Sequence, residues 1–371
     1  MNFDLSDEQK MLAEQARAML AELSPPDRLR QLIDAGAEWD EALWRQLGEM
    51  GFLGAAIPES MGGLGMTELD LGVISEALGR ANACLPFFSS IVLAAEAIRL
   101  AGSEAQQQTW LPRIASGEVV ATLAYCEGPA GWDEAAIRAS YADGRLSGTK
   151  TPVADAGVAQ LAVVLCRAGG RLALTLVELD QPGVRLEKRD SFDQLRGHHA
   201  VHCDGAAAEL LGAGDAAAIL PGLFDRAAVQ AAFEAVGGAE ACLHMARDYA
   251  LERQIFGRPL AGFQAIKHKL ADLAVAVELA RSSAYYAAWA AGEKPSDLPA
   301  AAAAARLTAL AAFETGAREN LQVHGGIGYT FEANCHFYYR RERTLAVSLG
   351  PKQYWAERLL ADLPELSGKA A

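Results

Sequence analysis

The apolar residues of this chain change their spacing twice, and that order restricts the folds open to it. Up to about residue 118 they recur at helical intervals. Leu12, Ala16, Leu20 and Leu23 follow a Ser6-Asp-Glu-Gln9 capping box, and Leu43, Trp44 and Leu47 precede Gly51; both patterns predict amphipathic helices. A hydrophobic helix over about 91–100 and a capped one opening at Ser103-Glu-Ala-Gln106 complete this region. From Val119 short strand-like runs take over, at Ala121–Tyr125, Ile137–Tyr141, Leu161–Leu165 and Leu172–Val177, with Asp143-Gly144 and Gly169-Gly170 where hairpin turns belong. Beyond about Ala216 long helical stretches return, over about 223–251, 263–291 and 298–323 and after Asn334. The expected fold is α+β and multidomain. It comprises an all-helical domain over 1–118, a compact antiparallel β domain over 119–212 and a C-terminal four-helix bundle over 213–371.

Charge and cysteine usage narrow the function. The 371 residues carry a net charge of −14 and a pI near 5.0, a field that repels a phosphate backbone and disfavours nucleic acid. A small anionic ligand is not excluded, because helix N-termini and local arginines hold phosphate against a negative mean. Cys84, Cys126, Cys166, Cys203, Cys242 and Cys335 form no CxxC pair and no cluster with the histidines, so neither a metal site nor a disulfide framework is expected. No stretch reaches the roughly 18 apolar residues of a membrane span, and the first residues lack a basic, then apolar, leader; a cytoplasmic protein is expected. The glycine-rich segment 54–66 lacks GxxxxGK[ST] and follows no strand, which makes it a weak phosphate loop.

The densest chemical signal comes in two pieces. Tyr249-Ala-Leu-Glu-Arg-Gln-Ile-Phe-Gly-Arg-Pro-Leu260 leads to Gln264, and Gln322-Val-His-Gly-Gly-Ile-Gly-Tyr-Thr330 follows, with Tyr339-Arg-Arg341 beyond. Arg253 suits a pyrophosphate, Phe256 offers an aromatic face, and Gln264 and Gln322 have hydrogen bonds to give a dinucleotide. Gly325 and Gly326 permit close backbone approach. An arginine before Phe-Gly, a glutamine eight residues after that phenylalanine and a later Gln-x-x-Gly-Gly together resemble the acyl-CoA dehydrogenase family, as does the helical, β, helical order over nearly the whole chain. The resemblance implies flavin-adenine dinucleotide (FAD), gripped across a subunit interface by Arg253, Phe256, Gln264, Gln322, Gly325 and Gly326, with Gln353 as a further cofactor-binding residue. It also implies an acyl-CoA substrate and an electron-transfer flavoprotein as acceptor.

The chain departs from that family where the proton is moved. The family takes an α-proton with a glutamate while the β-hydrogen leaves as hydride to the flavin. Matching Arg340-Arg341 and Gly350 puts the usual glutamate at Leu349. Matching Phe224-Asp225 and Ala235-Val-Gly237 puts the second known location at Ala227, with a family arginine at Ala228. Neither residue accepts a proton. Glu234, about two turns and roughly 10 Å beyond Ala227 on the same helix face, is the candidate substitute, although a solvated or interface glutamate would look the same in sequence. Asp225 is a weaker candidate, and His324 reads as a dinucleotide neighbour rather than a base. The flavin-facing Thr-Glu-Pro-x-x-Gly-Ser-Asp pattern appears as Cys126-Glu-Gly-Pro-Ala-Gly-Trp-Asp133, keeping Glu127, Gly131 and Asp133 but losing both hydroxyls. The Trp-x-Thr-Asn pattern after the next lysine appears as Lys150-Thr-Pro-Val-Ala-Asp155. The expectation is one subunit of a heterotetrameric acyl-CoA dehydrogenase whose partner supplies the glutamate, acting on bulky, steroid-type thioesters. The alternatives are an active homo-oligomer using Glu234, a flavin oxidase or monooxygenase of the same fold, and a non-catalytic scaffold.

Overall fold

The structure, a computed structural model, describes residues 5–128, 134–212 and 215–361. Six helices come first: α1 (Asp7–Leu23), α2 (Pro26–Asp34), α3 (Glu41–Glu49), α4 (Glu68–Ala81), α5 (Glu96–Ala101) and α6 (Glu104–Ala115). The capping boxes at Ser6 and Ser103 both form, each serine accepting from the backbone N–H three residues on. A buried π-helical stretch, Phe88–Ala95, runs into α5. Strands β1 (Ala121–Ala124), β2 (Ser140–Ala142), β3 (Arg145–Ala154), β4 (Leu161–Ala168), β5 (Arg171–Glu178), β6 (Val184–Arg189), β7 (His198–Ala207) and β8 (Glu209–Leu210) follow. The chain then enters α7 (Ala216–Glu252), a hairpin of β9 (Gln254–Ile255) and β10 (Arg258–Pro259), α8 (Gln264–Glu293), α9 (Leu298–His324), α10 (Cys335–Val347) and α11 (Lys352–Ala361).

The sheet order is β6-β7-β3-β2-β4-β5-β8, with β1 added to β4. Most neighbours are antiparallel, but β1 and β2 each run parallel to β4, a correction to the wholly antiparallel expectation. A parallel partner needs a long crossover rather than a tight turn, and the segments between β1 or β2 and β4 are long enough to supply one. Strands β3 and β6 carry no strong sequence signal because their exposed faces are polar and their apolar residues sparse, and β7, though half buried, mixes its apolar residues with three histidines. Helix α7 starts earlier than the spacing suggests; Pro221 interrupts the apolar pattern but lies near enough to the start to disturb only an early helix bond.

By contact the chain forms two compact units, one comprising Leu29–Thr67 and Cys84–Ala227, the other Met1–Arg28, Glu68–Ala83 and Ala228–Ala371. The glycine-rich loop belongs to the first, and the N–H groups of its glycine-rich end are committed. Gly62, Gly63, Leu64, Gly65 and Met66 donate to the carbonyls of Glu59, Pro58, Gly54, Ile57 and Ala55, and a Cβ on Gly63 would lie 2.1 Å from the Ile57 oxygen. These glycines serve close packing, and their N–H groups are turned to the loop's own carbonyls rather than to a phosphate. All six cysteines are free thiols. Among the described residues no three histidine, cysteine or carboxylate side chains could hold a metal, and no helix is long and apolar enough to cross a membrane.

The second unit is built where α4 meets α7. A Cβ on Gly79 would lie 2.0 Å from the Glu234 carbonyl, and one on Gly237 would lie 1.9 Å from that of Glu76, so the two helices touch backbone to backbone. Beside this crossing is a charge cluster. Arg281 Nη2 is 3.2 Å from Glu76 and 3.0 Å from Glu240, Arg17 is 3.0 Å from Glu76, and Arg80 pairs with Glu240. The cluster joins α1, α4, α7 and α8. Burial raises the Glu240 carboxyl pKa, but Arg281, Arg80 and Arg17 more than reverse this and hold it below its usual 4.5.

Two outcomes follow for this unit. Gly79→Ala and Gly237→Ala should each lower unfolding free energy by at least about 2 kcal/mol, as forced overpacking does, measured by urea denaturation. Because Glu240 has a lower pKa folded than unfolded, its stabilisation is present above about pH 4.5 and is lost as pH falls through the folded value. Glu240→Gln should therefore be less stable than the parent at neutral pH, and the two melting curves should converge on acidification.

Candidate functional site

Helix α7 ends at Glu252 and the chain passes directly into the hairpin. Ile255 pairs with Arg258 and Gln254 with Pro259, leaving Phe256 and Gly257 as the turn at φ 50° and 76°. Positive φ at both central positions is type I′ geometry, which ordinarily selects Asn-Gly. A phenylalanine here carries about 1 kcal/mol of backbone strain, and its ring is 94% exposed. Nothing in the chain itself repays that conformation.

A small core fixes the hairpin. Ala246 and Ala250 of α7 pack on Val323 of α9, and Tyr249, Leu260, Ala261, Ile266 and Leu270 surround them. The Leu260 N–H donates to the Arg253 carbonyl at 2.7 Å, closing the hairpin base. The end of α7, the start of α8 and the end of α9 are thereby held together, and each brings one polar residue: Arg253, Gln264 at the first position of α8, and Gln322. All three are exposed, and their side chains make no hydrogen bond or ion pair among the described residues.

Gly325 closes α9 at φ 65° and donates to the carbonyls of Gln322 and Leu321. A Cβ on Gly325 or Gly326 would meet nothing within 4 Å, whereas one on Gly328 would lie 2.8 Å from the Leu321 oxygen. Gly328 is thus required by packing and Gly325 by its backbone angle. Gly326 is required by neither. Gln353, on α11, is exposed, donates to Glu357 at 2.7 Å, and is not among the residues packed on this core.

Sequence spacing did not reveal how His324 is held. Its ring stacks on Tyr249 with centroids 4.2 Å apart and planes 26° from parallel. Nδ1 is 2.9 Å from the Asn320 carbonyl, which only accepts, so Nδ1 carries the proton. Burial lowers the imidazole pKa below its usual 6.5, with the Asn320 bond partly opposing. The available signal was the four-residue spacing of Tyr249 and Arg253, which places them on one helix face.

The positions matched to a catalytic base are apolar and closed. Ala227 and Ala228 have no exposed surface. Leu349 is 1% exposed, sits at φ 55°, and accepts the Trp355 indole N–H at 2.8 Å through its carbonyl. Glu234 is buried, and Arg341 Nη1 donates to it at 3.0 Å while Nη2 donates to the Ala83 carbonyl at 3.3 Å. This is neither a solvated nor a free carboxylate: it neutralises a buried guanidinium, and removing one member of such a pair costs about 3–5 kcal/mol. Asp225 is likewise buried.

In the β unit, Glu127 accepts from Lys150 Nζ at 2.6 Å and from the backbone N–H groups of Ala139 at 3.0 Å and Arg138 at 2.7 Å. Burial raises its pKa, but these donors outweigh it and hold the carboxyl below 4.5. Lys150 is the more deeply buried partner, so desolvation falls mainly on the ammonium and depresses its pKa despite the pairing with Glu127. Burial pushes the Cys126 thiol up to about 12, leaving it unionised. Asp155 accepts from Ser89 Oγ at 2.6 Å. Glu127 and Asp155 thus both serve the fold; Gly131 and Asp133 lie outside the described residues.

Comparison with known proteins places this arrangement. Residues 6–118 match the acyl-CoA dehydrogenase N-terminal domain and residues 217–363 the acyl-CoA dehydrogenase C-terminal domain. The chain is 31% identical over 354 residues to acyl-CoA dehydrogenase FadE27 of Mycobacterium tuberculosis, covering 92% of each. A solved Tcur3481-Tcur3483 steroid ACAD variant superposes with a TM-score of 0.88 at 31% identity, covering 98% of this chain and 99% of that one. The ChsE4-ChsE5 complex from Mycobacterium tuberculosis does so with a TM-score of 0.88 at 29% identity, covering 100% of both.

The hairpin geometry makes one prediction independent of any ligand. Phe256→Asn should raise the unfolding free energy by about 0.5–1 kcal/mol, because asparagine tolerates the left-handed turn position. Denaturant titration checks this, and a loss of stability would mean that the ring packs on the chain in solution.

Proposed function

Because this chain belongs to the acyl-CoA dehydrogenase family, we propose that it supplies the dinucleotide-gripping half of an FAD-dependent acyl-CoA dehydrogenase built from two different chains, the partner contributing the catalytic glutamate. One contrast carries the reading. Arg253, Gln264 and Gln322 stand exposed and unsatisfied around one small core, while Ala227 and Leu349 are buried and apolar.

The residues present fit a dinucleotide. An unpartnered guanidinium suits a pyrophosphate, two amides suit ribose and base edges, and Gly326 leaves open space where any side chain would intrude. Phe256 offers an apolar face to a group outside the chain. When bound, FAD would supply the hydride acceptor for the substrate β-carbon. This chain's own part is to hold and orient the dinucleotide; neither Ala227 nor Leu349 takes a proton, and Glu234 is held by Arg341. The commitment of Glu127 to Lys150 and two backbone donors supports a flavin ring seated on the partner. Likeness to a steroid ACAD and to a two-protein ChsE4-ChsE5 complex supports a heteromer acting on bulky, steroid-type acyl-CoA thioesters, with an electron-transfer flavoprotein as acceptor by family analogy.

Co-expression with a glutamate-bearing acyl-CoA dehydrogenase partner, compared with purification of the chain alone, tests the proposal. The pair should copurify yellow, and its flavin absorbance should bleach with an acyl-CoA. The chain alone should hold little flavin and leave the thioester unchanged. Stoichiometric flavin and turnover in the chain alone would overturn the heteromeric reading; if Glu234→Gln then abolished that turnover with flavin retained, Glu234 would be the base.

A further inference from the structure

His324 lies two residues from Gln322 and stacks on Tyr249, and it has no other assigned task. Tyr249, on which it stacks, lies one helical turn before Arg253, and the Arg253 N–H donates to the Tyr249 carbonyl at 2.9 Å. Tyr249 thus links the two: its ring carries the imidazole, and its Cβ lies about 5–6 Å from that of Arg253, four residues on along the same face. The tyrosine stack and the Asn320 carbonyl fix the ring plane and put the proton on Nδ1.

Nε2 is then a bare lone pair on a half-buried ring. The contacts that fix this histidine are neutral: the Tyr249 ring from α7, the Asn320 carbonyl from α9, and Gly328 from the turn that follows. Burial lowers its pKa, and the Asn320 bond opposes this in part. A half-buried imidazole with an unpaired nitrogen takes up a proton more readily when an anion comes near, because the anion stabilises the charged form.

We propose that His324 is a further ligand-binding residue of this chain: it takes a proton at Nε2 when the diphosphate of the dinucleotide arrives, so that protein and ligand together bind a proton. The inference rests on the reading of Arg253 and its neighbours as a dinucleotide grip. The sign follows from linkage. The free imidazole is neutral at neutral pH because burial has lowered its pKa; a bound diphosphate raises that pKa, so affinity increases as pH falls, by at most about tenfold per pH unit between the two values.

FAD is the probe, added to the deflavinated form of whichever assembly retains flavin, copurified pair or single chain, between about pH 6 and about pH 8. The parent should bind several-fold more tightly at the acid end, with proton uptake seen by calorimetry in two buffers of different ionisation enthalpy. His324→Gln should abolish both the slope and the uptake. Nitrogen NMR of the parent gives a second measurement that needs no variant: Nε2 should change from an unprotonated to a protonated shift when FAD is added near pH 6.5. A slope that persists in His324→Gln, a parent with no slope, or an Nε2 shift that FAD does not move would each overturn the proposal. Arg253→Ala separates the two readings. If it leaves FAD affinity unchanged, the grip itself is wrong; if it weakens binding while the histidine results fail, only the role of His324 is wrong.

Discussion

The backbone contact between α4 and α7 is the constraint on which the helical unit depends. With Gly79 against the Glu234 carbonyl and Gly237 against that of Glu76, the helices approach as closely as their main chains allow, and side chains flanking the crossing lose access to water. Charges there must be paired to be tolerated. The Arg17, Arg80, Glu76, Glu240 and Arg281 cluster and the Glu234–Arg341 pair both lie beside it. The same contact thus explains why Glu234 belongs to the architecture: it begins the stretch that meets Gly79, and its side chain neutralises the arginine that also caps the Ala83 carbonyl.

Helix α10 gains its position from this arrangement as well. Tyr338 donates to the Arg80 carbonyl at 2.7 Å and Arg341 to that of Ala83, so two side chains one turn apart satisfy one carbonyl in the last turn of α4 and one just beyond the helix. Beyond α10, Arg306 of α9 donates to the Leu345 carbonyl at 3.1 Å and to that of Ser348. Buried polar side chains therefore settle the ends of these helices, which end without glycine-based caps at those points.

The legible part of the sequence was the part written in period. Helical spacing, the capping boxes and the Arg253, Gln264 and Gln322 motif pointed to the fold and the family, since those signals survive without neighbours. Strands β3 and β6 were illegible because a half-exposed polar strand has almost no apolar alternation, and β7 because its histidines interrupt the apolar run. The parallel pairing of β1 and β2 with β4 was illegible because register across a long crossover is a tertiary property. Glu234 could not be distinguished from a solvated acid, because its partner Arg341 lies 107 residues away. The Tyr249–His324 stack was hidden for the same reason, joining two motifs that the sequence presents separately.

Two strained residues place the functional question in physical terms. Phe256 and Leu349 both sit at positive φ, near 50° and 55°, a conformation that costs a non-glycine residue about 1–2 kcal/mol. Leu349 offsets this by complete burial and by the Trp355 bond to its carbonyl, so its turn is justified by packing within the chain. Phe256 has no such compensation, with 94% of its surface in water at a hairpin tip. A large apolar side chain that is both strained and exposed gains free energy only when something outside the chain covers it. The turn at Leu349 is complete in itself, whereas the hairpin at Phe256 leaves its ring in water; the proposed dinucleotide grip gives that ring something to cover it, and so accounts for the strain that packing within the described residues does not.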